Sequence, residues 1–194
     1  RVLVNGVDTR ELNLTEYFKH LSAVFQNEWI LSYTIAENVA MGKDWEKDRI
    51  WEALKLAKID SVVKALPNGI FTYLGKEIDQ NGVLLSGGEL QKLFWARALY
   101  RNPKLILLDE PTAALDALAE DQLYQAYHKM TEKKSAMFIS HRLASTRFCD
   151  TILMLENGKI VESGTHEELL AKKGSYAKLF EVQSRYYREG QENG

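Results

Sequence analysis

The sequence predicts an α/β protein in which a mostly parallel sheet is interrupted by a helical insertion. Residues 105–108 and 136–139 are short continuous apolar runs, as expected of strands covered on both faces. Residues 21–25 form a further short apolar strand, and helical patterns separate it from the other two. Alternating strands and helices indicate a layered α/β architecture, and we place the helical insertion between Gln26 and Ser86.

The insertion begins with an amphipathic helix. Within residues 45–57, the apolar residues Ile50, Leu54 and Ala57 recur at helical spacing, with Lys and Glu between them. This spacing predicts a helix with one buried face.

Two further helices follow. Asp60 or Ser61 is expected to cap a short helix that stops at Leu66, because the residue before a proline disfavours the helical conformation. Residues 87–101 form the next predicted helix, which ends before Pro103.

Two Asn-Gly pairs predict tight antiparallel turns, since both residues tolerate a positive φ. The pair at 5–6 lies inside a hairpin over residues 2–8, and the pair at 157–158 joins residues 151–155 to residues 159–162.

The composition excludes several classes of protein. Of 194 residues, 45% are hydrophobic and 27% are charged, which is typical of a globular domain. The formal net charge of -2 does not favour a surface for nucleic acid, and no apolar run approaches the roughly 18–20 residues of a membrane span. The single cysteine, Cys149, excludes an internal disulfide and is expected to be a buried, inert thiol.

Adjacent carboxylates follow the predicted strand 105–108. Asp109 and Glu110 stand at its carboxyl end, which is where ligands bind in open α/β sheets. Phosphoryl transfer needs a magnesium ion and a group that orients or deprotonates the attacking water. Asp109 would hold the water shell of the ion and Glu110 would act as the base. A turn or a helix cap formed by two acids is the structural alternative.

A second candidate site is the start of the helix at residue 87. Ser86 and Glu89 have the spacing of a capping box, which is a sufficient structural explanation. Gly87 and Gly88, however, are unfavourable in a first helical turn by about 1 kcal/mol each relative to alanine. A helix start without side chains is a site for an anion, such as a terminal phosphate.

Two further polar residues follow strands. His141 comes just after the strand 136–139, where its ring could bond a phosphate oxygen, although a lone histidine is more often structural. Gln26 ends the strand 21–25, where its amide could contact a metal or the attacking water. Each signal is weak alone.

In this order and spacing, the motifs resemble those of the ATP-binding cassette (ABC) family over essentially the whole chain. Residues 85–89 resemble its signature motif, and residues 105–110 resemble its Walker B strand with the catalytic glutamate. Residues 114–116 are similar to the D-loop, Gln26 to the Q-loop glutamine and His141 to the switch histidine. Residues 66–77 and 156–169 are similar to stretches of the exporter-type cassettes.

The resemblance implies a P-loop NTPase-like, RecA-like fold with an inserted helical subdomain and part of an antiparallel β subdomain. It places the ATPase core in residues 1–27 and 98–194 and the signature subdomain in residues 28–97. It also implies ATP and Mg²⁺ as cofactors, a second nucleotide-binding domain and a transmembrane domain as partners, and a location at the cytoplasmic face of the plasma (inner) membrane. Transport direction rests on the resemblance alone.

The resemblance also assigns roles to residues. Glu110, His141 and Gln26 are the expected catalytic residues, and Asp109 and Gln26 are the expected metal contacts. The residues expected to contact nucleotide are Ser86, Gly87, Gly88, Glu89 and Asp116.

Two features depart from the family pattern. Glu89 stands where the signature usually has Gln, and its charge would weaken closure on a phosphate unless a cation neutralises it. The 194 residues contain no Gly-x-x-x-x-Gly-Lys-Ser/Thr sequence, the P-loop that cradles the phosphates. We therefore expect an N-terminally truncated, incomplete domain, lacking the P-loop strand and helix, that binds ATP weakly alone. A natural protein without a P-loop is the alternative.

Three function classes remain open from the sequence. The favoured one is the ATPase domain of an exporter of a lipid, a drug or a peptide. A soluble cassette protein acting on nucleic acid or ribosomes is the second, and the near-neutral charge argues against it. A non-catalytic domain that only donates its signature to a partner is the third, and the intact Asp109, Glu110 and His141 argue against it.

Overall fold

A three-stranded parallel sheet lies in the first of two compact units in this computed structural model, which describes residues 1–26, 28–110 and 134–192. The units are Arg1–Ile139 and Ser140–Gly194. The D-loop expected at residues 114–116 lies outside the described residues. The predicted division into an ATPase core and a signature subdomain stays a prediction.

The parallel sheet has the strand order β3-β4-β5. Its strands are β3 (Leu21–Val24), β4 (Leu105–Asp109) and β5 (Ser135–Ile139). Leu21 pairs with Leu105, and Asp109 pairs with Ile139, so all three strands end at the same edge. The predicted parallel sheet is confirmed.

A short hairpin precedes this sheet, as the first Asn-Gly pair predicts. Strands β1 (Leu3–Val4) and β2 (Val7–Asp8) are antiparallel. The turn residues Asn5 and Gly6 have φ angles of 50° and 85°, which Asn and Gly tolerate best.

Five α-helices complete the described part of the first unit. They are α1 (Leu14–Lys19), α2 (Ile35–Ala40), α3 (Lys47–Leu56), α4 (Asp60–Ala65) and α5 (Gly87–Tyr100). Helix α5 packs against α2, α3 and β3, and its Trp95 is fully buried. Ile50 and Leu54 of α3 are also fully buried, which confirms the predicted apolar face.

The cap predicted for α4 is wrong. The N-cap residue is Ile59, and Asp60 is already the first residue of the helix. The carboxylate of Asp60 instead accepts a hydrogen bond from Lys64 Nζ at 2.7 Å, one helical turn away. The Asp60 carboxylate thus has a hydrogen-bond donor on the helix surface, and it does not need to cap the helix N-terminus to obtain one.

The burial predicted for the sheet strands is only partly correct. In β4, Ile106 and Leu108 are buried, whereas the alternate residues are half-buried. In β5, Met137 and Ile139 are each 56% exposed, so this strand is not the buried strand that its apolar sequence predicts. The reason is its place: β5 is an edge strand of the described sheet, and an apolar run alone does not distinguish an edge strand from a central one.

The second unit holds the other predicted hairpin and two helices. Strands β6 (Ile152–Glu156) and β7 (Lys159–Gly164) are antiparallel around Asn157 and Gly158, and helices α6 (His166–Lys172) and α7 (Ser175–Glu192) follow.

A buried tyrosine centres the core of the second unit. The Tyr176 hydroxyl lies 2.8 Å from both His166 Nδ1 and Thr146 Oγ1. Cys149 packs beside this cluster and is half-buried, and burial raises the pKa of its thiol, as expected of an inert cysteine.

Among the described residues, no helix has the length and apolar character needed to cross a membrane.

Helix α5 begins with the predicted capping box. The Ser86 hydroxyl accepts the Glu89 N–H at 3.4 Å, and Glu89 Oε2 accepts both the Ser86 N–H and the Ser86 hydroxyl at 2.8 Å. The backbone bond from Ser86, followed by its hydroxyl bond, lowers the pKa of the Glu89 carboxyl below its ordinary 4.5. The ionised carboxylate therefore stabilises the first turn of α5.

We predict that replacement Glu89→Gln removes a pH-dependent part of the stability. A folded-state pKa below the unfolded one gives stability that is present above about pH 4.5 and lost as the pH falls through the folded pKa. Denaturant unfolding of the chain should therefore show wild type more stable than the variant at pH 7, with the difference shrinking below about pH 4.5.

Glu52→Gln is the matched control, because Glu52 is exposed in the middle of α3. A difference between wild type and Glu89→Gln that stays the same at every pH would contradict the prediction.

Candidate functional site

Gln26 and Glu110 meet at the carboxyl edge of the parallel sheet. The chain leaves β3 after Val24 and leaves the neighbouring β4 after Asp109, so both residues lie just beyond paired strand ends. Gln26 Nε2 donates a hydrogen bond to Glu110 Oε2 at 3.0 Å. Two residues that are 84 positions apart in sequence are thus brought together at the carboxyl edge of the sheet.

The backbone of Glu110 adopts an unusual conformation. Its φ is +47°, in the left-handed region that side chains other than Gly, Asn and Asp seldom adopt. Its N–H nevertheless donates to the carbonyl of Ile139 at 2.9 Å, so the last ladder position remains bonded. Such a conformation costs about 1–3 kcal/mol and concentrates at functional sites, where it directs a side chain.

Asp109 precedes Glu110 as the last residue of β4 and is half-buried. Because side chains alternate along a strand, Asp109 lies on the face opposite the buried Leu108.

The oxygen donors at this edge fit a magnesium ion. Mg²⁺ prefers oxygen ligands, keeps several waters and is usually held by one or two carboxylates together with substrate phosphates. Asp109, Glu110 and the Gln26 amide offer such oxygens. In the part of the chain that the structure describes, no three acidic, His or Cys residues cluster as a complete metal cage, and such a magnesium site does not require one.

The signature-like residues lie at another place on the first unit. Ser86 and Gly87 are exposed at the start of α5, where helix N–H groups and the positive end of the helix dipole favour an anion. Arg97, on the same helix, contacts the segment after Gln26. Ser86 and Arg97 are eleven positions apart, about 16 Å at 1.5 Å per residue. The helix therefore separates its N-terminus from the Gln26 segment.

His141 and Asp116 are the other two predicted site residues outside the first unit's described edge. His141 belongs to the second unit, is exposed, and its carbonyl accepts a hydrogen bond from Gln183 Nε2 at 2.6 Å. Asp116 lies outside the described residues. The predicted roles of both stay predictions.

A buried ion pair near Gln26 was not predicted from the sequence. Arg97 Nη1 lies 2.9 Å from Glu28 Oε2, and the two side chains are only 13% and 10% exposed. Burial raises the pKa of Glu28, and this effect outweighs the lowering by the Phe25 N–H and by Arg97. The sequence feature that could have revealed this ion pair is the position of Arg97, a single charged residue within an otherwise apolar stretch of α5.

Comparisons with known proteins identify the family of this chain. The family model described as "ABC transporter" matches residues 1–113. The chain is 40% identical to "ABC transporter B family member 13" of Arabidopsis thaliana over 99% of its length, and 39% identical to the "ATP-dependent lipid A-core flippase" of a Polaromonas strain over 93%. It is 38% identical to "Multidrug resistance protein pgp-1" of Caenorhabditis elegans over 95%.

A solved structure is similar as well. The chain superposes on a chain of "Structure of a bacterial Atm1-family ABC exporter with ATP bound" with a TM-score of 0.84, at 34% identity and over 94% of its length. It spans 32% of that chain, and 15%, 30% and 14% of the three relatives in the order given. The range matched by the family model, residues 1–113, includes both the Gln26–Glu110 edge and the α5 start. The protein therefore belongs to the ABC transporter family, in which it corresponds to the nucleotide-binding domain of the exporters.

Proposed function

We propose that this chain hydrolyses ATP as part of an exporter and that the Gln26–Glu110 edge of the sheet is the hydrolytic site. The observation that carries the proposal is the 3.0 Å hydrogen bond between the Gln26 amide and the Glu110 carboxylate. It holds a potential base beside a second polar group at the edge where α/β proteins bind ligands.

Asp109 and Gln26 are the residues that would hold a magnesium ion. When bound, the ion neutralises the charge on the phosphates and orients them for attack. Asp109 would hold the water shell of the ion through its carboxylate, since Mg²⁺ retains waters in such sites. Gln26 would add its amide oxygen at the same edge.

Glu110 is the proposed general base. Its carboxylate accepts the proton of the attacking water, and the hydrogen bond from Gln26 fixes the direction in which that carboxylate faces. His141 stays the proposed donor to the γ-phosphate, on the strength of its match to the switch histidine of the family.

The start of α5 is proposed to contact the nucleotide of a partner cassette. Ser86, Gly87, Gly88 and Glu89, with Asp116, would face that nucleotide in a head-to-tail pair. The separation of about 16 Å between Ser86 and Arg97 supports a second role away from Glu110. In this scheme residues 28–97 form the signature subdomain, and residues 1–27 and 98–194 form the ATPase core.

The partners follow from the family. The proposed assembly contains a second nucleotide-binding domain and a transmembrane domain, and it places this chain at the cytoplasmic face of the plasma (inner) membrane. One relative is named a lipid A-core flippase and another a multidrug resistance protein, so we infer a lipid-like or drug-like cargo that the membrane domain selects.

We predict that Glu110→Gln in the intact transporter lowers the ATP turnover number by about 10²–10⁴-fold, because the amide cannot accept the proton. Binding should be retained, because Gln keeps the size and polarity of Glu. Steady-state phosphate release and equilibrium binding of ATP measure the two effects.

Glu52→Gln serves as the matched control, since Glu52 is exposed on α3. Full turnover in the Glu110 variant would remove Glu110 from the role of base.

We predict that Ser86→Asp in the intact transporter lowers turnover roughly tenfold or more, while its melting temperature falls no further than that of Thr165→Asp. Asp is a good N-cap residue, but its charge repels an incoming phosphate as well as the Glu89 carboxylate, which the Ser86 hydroxyl contacts at 2.8 Å. The assay combines ATP turnover with thermal unfolding.

Thr165→Asp is the control, because Thr165 caps α6 through the same kind of capping box, formed there with Glu168. The control should keep wild-type turnover. If Ser86→Asp kept it as well, the start of α5 would have no part in nucleotide contact.

We predict that the 194 residues alone bind ATP weakly, because the sequence carries no Gly-x-x-x-x-Gly-Lys-Ser/Thr phosphate cradle. Calorimetric titration with Mg-ATP, beside the intact transporter, measures this. Micromolar binding by the 194 residues would refute the prediction.

A further inference from the structure

We propose that Arg97 is a positioning residue for Gln26, which it holds through Glu28 and through the carbonyl of Trp29. The effect of Arg97 on ATP turnover rests on the proposed function, whereas its hold on the backbone around Gln26 does not depend on that function.

The backbone on both sides of Gln26 is held by this pair. On one side, Glu28 Oε1 accepts the N–H of Phe25 at 3.1 Å. On the other side, the carbonyl of Trp29 accepts bonds from Arg97 Nη1 and Nη2, both at 3.2 Å. Arg97 contacts the second anchor directly and reaches the first through Glu28. The chain that carries Gln26 is thus tied at two points to one side chain of α5.

Apolar burial does not hold this segment. The side chain of Trp29 is 84% exposed and that of Phe25 is 56% exposed. Large side chains that remain in water contribute little to fixing the backbone that carries them. The polar anchors therefore hold the backbone of Phe25 and Trp29, whose side chains remain largely in water.

Arg97 itself is fixed on the helix side. Its Nε donates to the carbonyl of Asn38 at 3.0 Å, and its guanidinium pairs with Glu28 at 2.9 Å in a largely buried place. A buried charge that loses its partner is strongly unfavourable, so the pair is expected to stay closed.

Asn38 extends the same anchorage along the chain. This residue is fully buried, and its side chain accepts the N–H of Leu31 at 2.9 Å. Its amide nitrogen donates to the carbonyls of Leu31, Tyr33 and Thr34. Helices α2 and α5 together therefore fix the chain between Glu28 and Thr34, which follows Gln26.

An arginine is required because the acceptors point in different directions. The planar guanidinium offers donors on one rigid fork, and here they serve the Asn38 carbonyl, the Glu28 carboxylate and the Trp29 carbonyl. Lysine keeps the charge but places it on one nitrogen. Arg97→Lys should therefore release the Trp29 carbonyl while keeping a cation beside Glu28.

The structural test is ¹⁹F NMR of the chain labelled with 5-fluorotryptophan. The sequence contains four tryptophans, and Trp29→Phe assigns the signal of interest. In Arg97→Lys and in Glu28→Gln, the Trp29 signal is expected to shift and sharpen, because its backbone is released. The signals of Trp45 and Trp51, which pack on the helical core at other points, should keep their positions.

Arg49→Lys is the matched control for this experiment. Arg49 also pairs with a glutamate, Glu46, at 3.4 Å, and it also donates to a backbone carbonyl, that of Tyr100. Its replacement should leave the Trp29 signal in place. If Arg97→Lys does not fold, Glu28→Gln decides. An unchanged Trp29 signal in folded Glu28→Gln overturns the proposal, and a shifted one supports it.

The functional test is a double-mutant cycle in the intact transporter. Arg97→Lys is expected to lower the ATP turnover number roughly 10–100-fold with little change in KM, as a misplaced catalytic group does. In a Gln26→Ala background the same replacement should cause no further loss, since its effect passes through Gln26.

Two outcomes would overturn the positioning role of Arg97. One is that the two single-variant losses in turnover number multiply in the double variant, and the other is that Arg97→Lys changes KM alone. If the transporter has no ATPase activity, or if Glu110→Gln leaves it active, the proposed function fails instead. The ¹⁹F result then still decides whether Arg97 fixes the segment.

Discussion

The parallel pairing of β3 with β4 is the constraint on which the site depends. Gln26 and Glu110 are distant in sequence, and only the register of Leu21 with Leu105 places the ends of their strands side by side. A shift of one residue in that register would turn the alternating side chains of β4 to the other face. Burial of Ile106 and Leu108 on one face prevents such a shift. The same apolar contacts that stabilise the sheet therefore also fix the geometry of its polar edge.

Features that depend on a few neighbouring residues were predictable from the sequence. The Ser86–Glu89 capping box and the two Asn-Gly turns are confirmed because each is decided within four residues of chain. The meeting of Gln26 with Glu110 was also predictable in outline, because parallel strands share an edge. The left-handed backbone of Glu110 was not, since no local residue type signals it.

The features that escaped prediction depend on distant partners. The exposure of Met137 follows from the edge position of β5, which an apolar run does not encode. The ion pair of Arg97 with Glu28 joins residues 69 positions apart, so neither residue alone marks the contact. The cap of α4 is a different case, because Asp60, one of its two expected caps, bonds to Lys64 only four residues away. In each case tertiary or side-chain competition outweighed the local preference.

The positive φ of Glu110 has a consequence for how this position tolerates variation. The backbone there would be less strained with glycine or asparagine, because both residues enter the left-handed region readily. Glutamate at this position therefore carries a conformational cost that the fold itself does not require. Under the proposed role of Glu110 as the base, stability and catalysis favour different amino acids at position 110.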